Sequence, residues 1–150
     1  MKTAEEILKD KNRPILTVST ETDIATAVQT MVDNKVGAIL VKNEEEIVGM
    51  WTERDLMRNI LLPGFDPATS LIGMHMMEGV DIVPHDISVN ELFNEFIEQQ
   101  KRHLLVKKFK KFIGLLSASD ATKAYYHELR SYVTIQFYEK PLRNFDKKKK

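Results

Sequence analysis

The sequence predicts an α/β fold built from two pseudo-symmetric β-α-β-β-α repeats. Three observations carry this prediction. The stretch Gly49-Met50-Trp51-Thr52-Glu53-Arg54-Asp55 recurs as Gly114-Leu115-Leu116-Ser117-Ala118-Ser119-Asp120, at an offset of 65 residues. The same offset, without a gap, places Ile24, Ala27, Val28, Met31 and Val32 on Val89, Leu92, Phe93, Phe96 and Ile97, and Ile39-Leu40-Val41 on Leu104-Leu105-Val106. Within each repeat, short apolar runs of strand length alternate with a segment of 3.6-residue period.

The elements follow in chain order. Thr3-Ala4-Glu5-Glu6 is a capping-box pattern that opens a short helix with Ile7 and Leu8 on its inner face. Pro14 ends that helix by disfavouring helical geometry at Arg13. Ile15 to Val18 reads as a strand, and the polar turn Ser19 to Asp23 caps a helix from Ile24 to Asn34. Val36 to Val41 is too short an apolar run for a helix and reads as a buried strand. Asn43 to Glu46 forms a hairpin loop, Ile47 to Trp51 the next strand, and Thr52 opens a helix to about Leu61. Residues 62–67 link the halves; Asp66 as cap and Pro67 at the first helical position start a short helix through Leu71, Ile72 and Met76. The pattern then repeats: strand 81–84, helix 89–99, strand 103–106, loop 107–111, strand 112–116 and a helix from Ser117. Tyr132 to Tyr138 fits a strand or a helical face equally, and its aromatic residues call for a partner surface.

Composition bounds the function. A chain of 150 residues can bury a core without staples, and its formal net charge of zero gives no global pull toward nucleic acid or anionic membrane. Cysteine is absent, which removes disulfides, thiolate metal sites and thiol nucleophiles. The N-terminus has no apolar signal core and no apolar run reaches membrane-spanning length, so a cytoplasmic protein without membrane contact is expected. Lys147 to Lys150 reads as a solvated, disordered end.

The twice-occurring Thr52-x-x-Asp55 and Ser117-x-x-Asp120 have two compatible readings. In one, the hydroxyl caps the helix and the carboxylate bonds back to it. In the other, the same groups line a ligand site. Free N–H groups at a helix start suit phosphate, a cap hydroxyl can bond a phosphate or sugar oxygen, and a carboxylate can take both hydroxyls of a ribose. Arg54 could fork onto a phosphate, and Gly37-Ala38 would let a flat base lie against the backbone.

Glycine, two apolar residues, Thr or Ser, two variable residues and Asp, closing each of two strand–helix–strand halves, resembles the cystathionine-β-synthase-type (CBS) domain pair, or Bateman module. The resemblance covers roughly residues 3 to 126. It implies two repeats packed as a CBS domain pair: residues 1–62 as repeat 1 with the N-terminal helix, 63–126 as linker and repeat 2, and 127–150 as a C-terminal extension. It implies two clefts between the halves for adenosyl ligands such as AMP, ADP, ATP or S-adenosylmethionine, with no cofactor required. Asp55 and Asp120 correspond to the family's ribose aspartates, Thr52 and Ser117 to its hydroxyl positions, and Arg54 and Ser119 to the position often near phosphate. Base contacts fall near Val18 and Val83 and on Gly37, Ala38, Arg102 and His103. Because Arg102 and His103 stand where the first half has Gly37 and Ala38, the two clefts are expected to be unequal.

Other signals are weaker. His75, His85, His103 and His127 lack metal-ligand spacing, no Ser–His–Asp arrangement can be argued, and no glycine-rich phosphate loop occurs. Met74-His75-Met76-Met77 reads as adaptable core. Lys107 to Lys111 reads as a solvated hairpin tip, because one basic loop supplies few phosphate contacts. The expectation is a non-catalytic sensor module that binds an adenosyl ligand, forms a homodimer and regulates a further protein. The alternatives are an interaction protein whose clefts are vestigial and, less favoured, a nucleic-acid binder using the basic loop and tail.

Overall fold

The structure, a computed structural model, describes residues 1–135. The chain forms two units, Pro14–Asp81 and Met1–Arg13 with the residues from Ile82 onward.

Helix α1 (Ala4–Lys11) starts at Thr3, whose side chain accepts from the Glu6 N–H while the Glu6 carboxylate bonds back, and stops at Asn12 in the left-handed conformation, φ 47°. It packs with the second repeat. Ala4 and Ile7 lie in one core with Val83, Val89, Leu92, Phe96, Leu104, Val106, Leu116 and Ala121 of the second repeat. Ala4 N–H donates to the Ile87 carbonyl and Glu5 N–H to the His85 carbonyl, fixing the helix there. The sequence expectation assigns the N-terminal helix to residues 1–62 with repeat 1, whereas the contacts group it with the second repeat. Periodicity along a chain orders the repeats but does not say which repeat a terminal segment covers.

In the first unit, strand β1 (Thr17–Ser19) lies parallel to β2 (Ala38–Asn43), with helix α2 (Ile24–Asn34) as the crossover. Asp23 caps α2 and Lys35 closes it in the left-handed region. β2 pairs antiparallel with β3 (Glu46–Thr52), and helix α3 (Glu53–Asn59) follows without a loop. A short strand β4 (Met77–Glu78) pairs with Gly49 and Met50 on the far side of β3. The core gathers Ile24, Ala27, Met31, Ile39, Val41, Trp51 and Ile72.

The second unit repeats this with β5 (Ile82–Pro84), α4 (Val89–Glu98), β6 (His103–Lys108), β7 (Lys111–Ser117) and α5 (Ala118–Val133). β5 is parallel to β6, and β6 antiparallel to β7. The repeat extends to irregularities. The register shift at Val41/Lys42 recurs at Val106/Lys107, and the left-handed residues Lys35 and Glu44 recur as Gln100 and Phe109.

Several expectations change in detail. Residues 66–71 form turns rather than a helix, and only a 3-10 turn, Ile72–Met74, follows. Gly73 packs so tightly that a Cβ there would lie 2.8 Å from the Thr20 carbonyl oxygen. Met74 and Met77 are 82% and 59% exposed, so the methionine cluster is not core, although Met76 packs partly against it. α5 runs through the expected boundary at 126 to Val133, so Tyr132 is helical. The remainder of the 132–138 expectation and the expected disordered end lie outside the described residues. Among the described residues no helix is long and apolar enough to cross a membrane.

Candidate functional site: the paired carboxylate turns

In the first unit, β3 delivers Thr52 in extended geometry directly onto α3. The Asp55 carboxylate oxygen Oδ2 accepts from the Thr52 N–H at 2.9 Å and from the Thr52 hydroxyl at 3.1 Å. The hydroxyl oxygen accepts from the Asp55 N–H at 3.4 Å. The pairing Ala38↔Thr52 puts the start of β2 beside this turn, and Glu53 N–H donates to the Gly37 carbonyl at 3.0 Å. Asp55 Oδ1 meets Arg58 Nη1 at 3.3 Å; Arg58 is 70% exposed and Asp55 only 13%.

The second unit builds the same turn. Asp120 Oδ2 accepts from the Ser117 N–H at 2.8 Å and from its hydroxyl at 2.9 Å, and the Ser117 oxygen accepts from the Asp120 N–H at 3.2 Å. His103 pairs with Ser117, and Ala118 N–H donates to the Arg102 carbonyl at 3.0 Å. Here a further group arrives. Lys11, the last residue of α1, donates from Nζ to Asp120 Oδ2 at 2.8 Å and to the Leu115 carbonyl at 3.0 Å. Lys11 and Asp120 side chains are 25% and 18% exposed. Burial works to raise the Asp120 pKa, but the hydrogen bonds from Lys11 and Ser117 outweigh it and hold the carboxyl below its ordinary value.

Within each unit the structure gathers most of the residues singled out. Thr52 and Asp55 lie beside Gly37-Ala38, and Ser117 and Asp120 beside Arg102-His103. Arg54 and Ser119 are exposed at the first turns. Val18 and Val83 are not brought to the turns. Val18 pairs with Val41 and Val83 with Val106, three residues along the strand from Ala38 and His103, or about 10 Å. The Val83 side chain is used in the core.

Two physical expectations change. The helix starts do not offer a full set of free N–H groups, because the first and third amides of each turn donate to the carbonyl just before the neighbouring strand and to the cap hydroxyl. Nor does Gly37 leave an open backbone face. A Cβ there would lie 3.1 Å from Glu53 Oε1, so an exposed carboxylate covers it. The second unit reverses the residue types, with Arg102 at the place of Gly37 and Ala118 at that of Glu53.

The motif glycines serve packing. A Cβ on Gly49 would fall 2.5 Å from the Met77 carbonyl oxygen, and one on Gly114 2.4 Å from Leu8. The segment covering each sheet is therefore supplied by residues 71–78 in one unit and 3–11 in the other. Leu8 matches Met76 and Thr3 matches Leu71, since the bridges Thr3↔Ser88 and Asp23↔Leu71 correspond.

Sequence reasoning missed Lys11, because a contact to Asp120 spanning 109 residues leaves no local pattern. It also missed Glu5, which takes Lys108 Nζ at 2.8 Å and lies 3.0 Å from His85 Nδ1. These partners, Lys108 first, hold the Glu5 carboxyl down to about 2 against the opposing effect of burial. Lys108 is thereby paired within the chain, which offsets part of the charge the basic loop could offer nucleic acid, and Lys107 lies over the Phe112 ring at 5.6 Å. Among the described residues, no group of three or more His, Asp or Glu side chains is placed to hold a metal ion.

A duplicated strand–helix–strand–strand–helix unit that ends each copy in a capped, carboxylate-bearing turn defines a two-repeat module. A CBS domain family model matches residues 4–62 and 71–127, and the chain belongs to the CBS domain family. It is 28% identical over 138 residues to the CBS domain-containing protein CBSX3, mitochondrial, of Arabidopsis thaliana, covering 85% of this chain and 66% of that protein. Among solved structures it is similar to a CBS-domain containing protein from Agrobacterium tumefaciens, with TM-score 0.75, 25% identity, and coverage of 83% of this chain and 99% of that one. It also shares the fold of a CBS domain protein from Pyrobaculum aerophilum complexed with AMP, with TM-score 0.70, 20% identity, and coverage of 87% and 99%.

Proposed function

We propose that this chain is a non-catalytic regulatory module that binds an adenine nucleotide or another adenosyl ligand, with Asp55 taking the ribose diol. The observation that carries this reading is the state of the Asp55 carboxylate. Its backbone and Oδ2 are fixed by the Thr52 box, and Oδ1 faces a single long contact to an exposed arginine. A carboxylate fixed at one oxygen and largely buried, with its other oxygen facing only an exposed side chain, suits two hydroxyl donors. Arg58 and Arg54, both exposed near it, supply charge for a phosphate. The AMP bound by the Pyrobaculum protein of the same fold supports the ligand class.

Binding is read by thermal shift. AMP at about 100 times its Kd stabilises the folded state by about 2.7 kcal/mol, a rise of roughly 5–10 °C for a chain of this size. Asp55→Ala abolishes that rise. Absence of any shift with AMP, ADP, ATP and S-adenosylmethionine contradicts the reading.

The module acts, in this reading, as a homodimer that transmits ligand occupancy to a partner protein. The support is the set of exposed apolar residues on the helices and at the end of α3: Val32 at 64%, Met57 at 70% and Ile60 at 65% in the first unit, Tyr126 at 58% and Tyr132 at 61% in the second. Light scattering on the purified chain gives twice the monomer mass if this holds.

A further inference from the structure

We propose that Lys11 is a built-in occupant of the second carboxylate turn, so that the chain takes one adenosyl ligand, through Asp55, and the Asp120 turn opens only when Lys11 leaves. This rests on the reading of the two aspartates as diol acceptors.

A carboxylate can take the hydroxyls of a diol only where the groups already on it can give way. Asp55 Oδ2 accepts from the two Thr52 donors, and Oδ1 meets the exposed Arg58 at 3.3 Å. Asp120 Oδ2 already accepts from three donors, Ser117 N, Ser117 Oγ and Lys11 Nζ, at 2.8, 2.9 and 2.8 Å. What an incoming diol meets at Asp120 and not at Asp55 is a mostly buried lysine amine already bonded to the carboxylate.

Displacing Lys11 is costly where displacing Arg58 is not. Lys11 is held at two points, the carboxylate and the Leu115 carbonyl, and is three-quarters buried. Its backbone is set by the end of α1, which the core contacts of Ala4 and Ile7 anchor. Arg58 makes one bond and is 70% exposed. The corresponding segment of the first unit offers no such cation: with Leu8 matched to Met76, Lys11 falls on Gly79. The device thus comes from the segment that covers the sheet, outside the repeated motif itself.

The test is isothermal titration with AMP. Wild type is expected to bind one equivalent per chain, and Asp55→Ala none. Lys11→Met is expected to bind two equivalents, returning to one in Lys11→Met/Asp120→Ala. Lys11→Gln, which keeps a donor for the Leu115 carbonyl, should also bind two and serves if the methionine variant does not fold. Two equivalents in wild type, with one surviving in Asp55→Ala, overturns the proposal while leaving the nucleotide reading intact. So does a Lys11→Met or Lys11→Gln protein that binds one equivalent or fewer, which makes the lysine a structural tie or a ligand contact. No heat with any protein, including the Lys11 variants, removes the nucleotide reading and this proposal together.

Discussion

The turns at Thr52 and Ser117 are built alike and surrounded differently. Their three internal hydrogen bonds agree to within 0.2 Å, at 2.9, 3.1 and 3.4 Å against 2.8, 2.9 and 3.2 Å. Around them, an exposed arginine faces one carboxylate and a mostly buried lysine the other. Glycine and a glutamate stand at the first turn where arginine and alanine stand at the second. The local geometry of a capping box follows from residues three apart. Whether its carboxylate can serve a ligand is decided by residues far along the chain.

The same comparison runs through the cores and can be broken there. Gly49 faces a backbone carbonyl that cannot move without β4, whereas Gly114 faces the leucine side chain of α1. Gly49→Ala is expected to cost about 2–3 kcal/mol and Gly114→Ala nearer 1, since overpacking is relieved more cheaply by a side chain than by a strand. Urea unfolding midpoints check this, and equal losses would contradict the distinction.

Next in size is the pair below the motif. Trp51 is fully buried and its indole N–H donates to Asn59 Oδ1 at 2.8 Å; the second repeat has Leu116 and Ala124 at these places. Asn59→Ala leaves a buried donor unpaired and is expected to cost about 1–3 kcal/mol. A double-mutant cycle with Trp51→Phe, which removes the N–H, isolates the part of that loss owed to the unpaired donor.

The smallest effect is a pH dependence that Glu5 brings to the second unit. Glu5 has a folded pKa of about 2 against an ordinary 4.5. A depressed carboxyl contributes stability that is fully present above 4.5 and fades as pH falls toward 2. Wild type should therefore lose more of its stability between those pH values than Glu5→Gln does, as read from thermal melts across the range.

Much of this molecule was legible in the sequence. The repeat, the strand–helix order, the boxes at Thr3, Thr52 and Ser117 and the cap at Asp23 all rest on local spacing, and local spacing is what a sequence displays. The grouping of α1 with the second repeat was not legible, because Ala4 and Ile7 show an apolar face without naming the core it meets. Strand β4 escaped for a related reason. Met77 and Glu78 carry no alternating pattern, and their strand geometry comes from lying against Gly49 and Met50. Gly37 pointed to an open backbone face, yet Glu53 covers it, since side-chain direction across a strand–helix junction is not a matter of residue type.

The account turns on which carboxylate meets a ligand. A crystal structure of the full chain with AMP tests it directly. The account predicts ribose hydroxyls on the Asp55 carboxylate at hydrogen-bond distance, about 2.7 Å, with Lys11 still on Asp120. AMP seated on Asp120 with Lys11 displaced, or absent from both turns at saturating concentration, would contradict it.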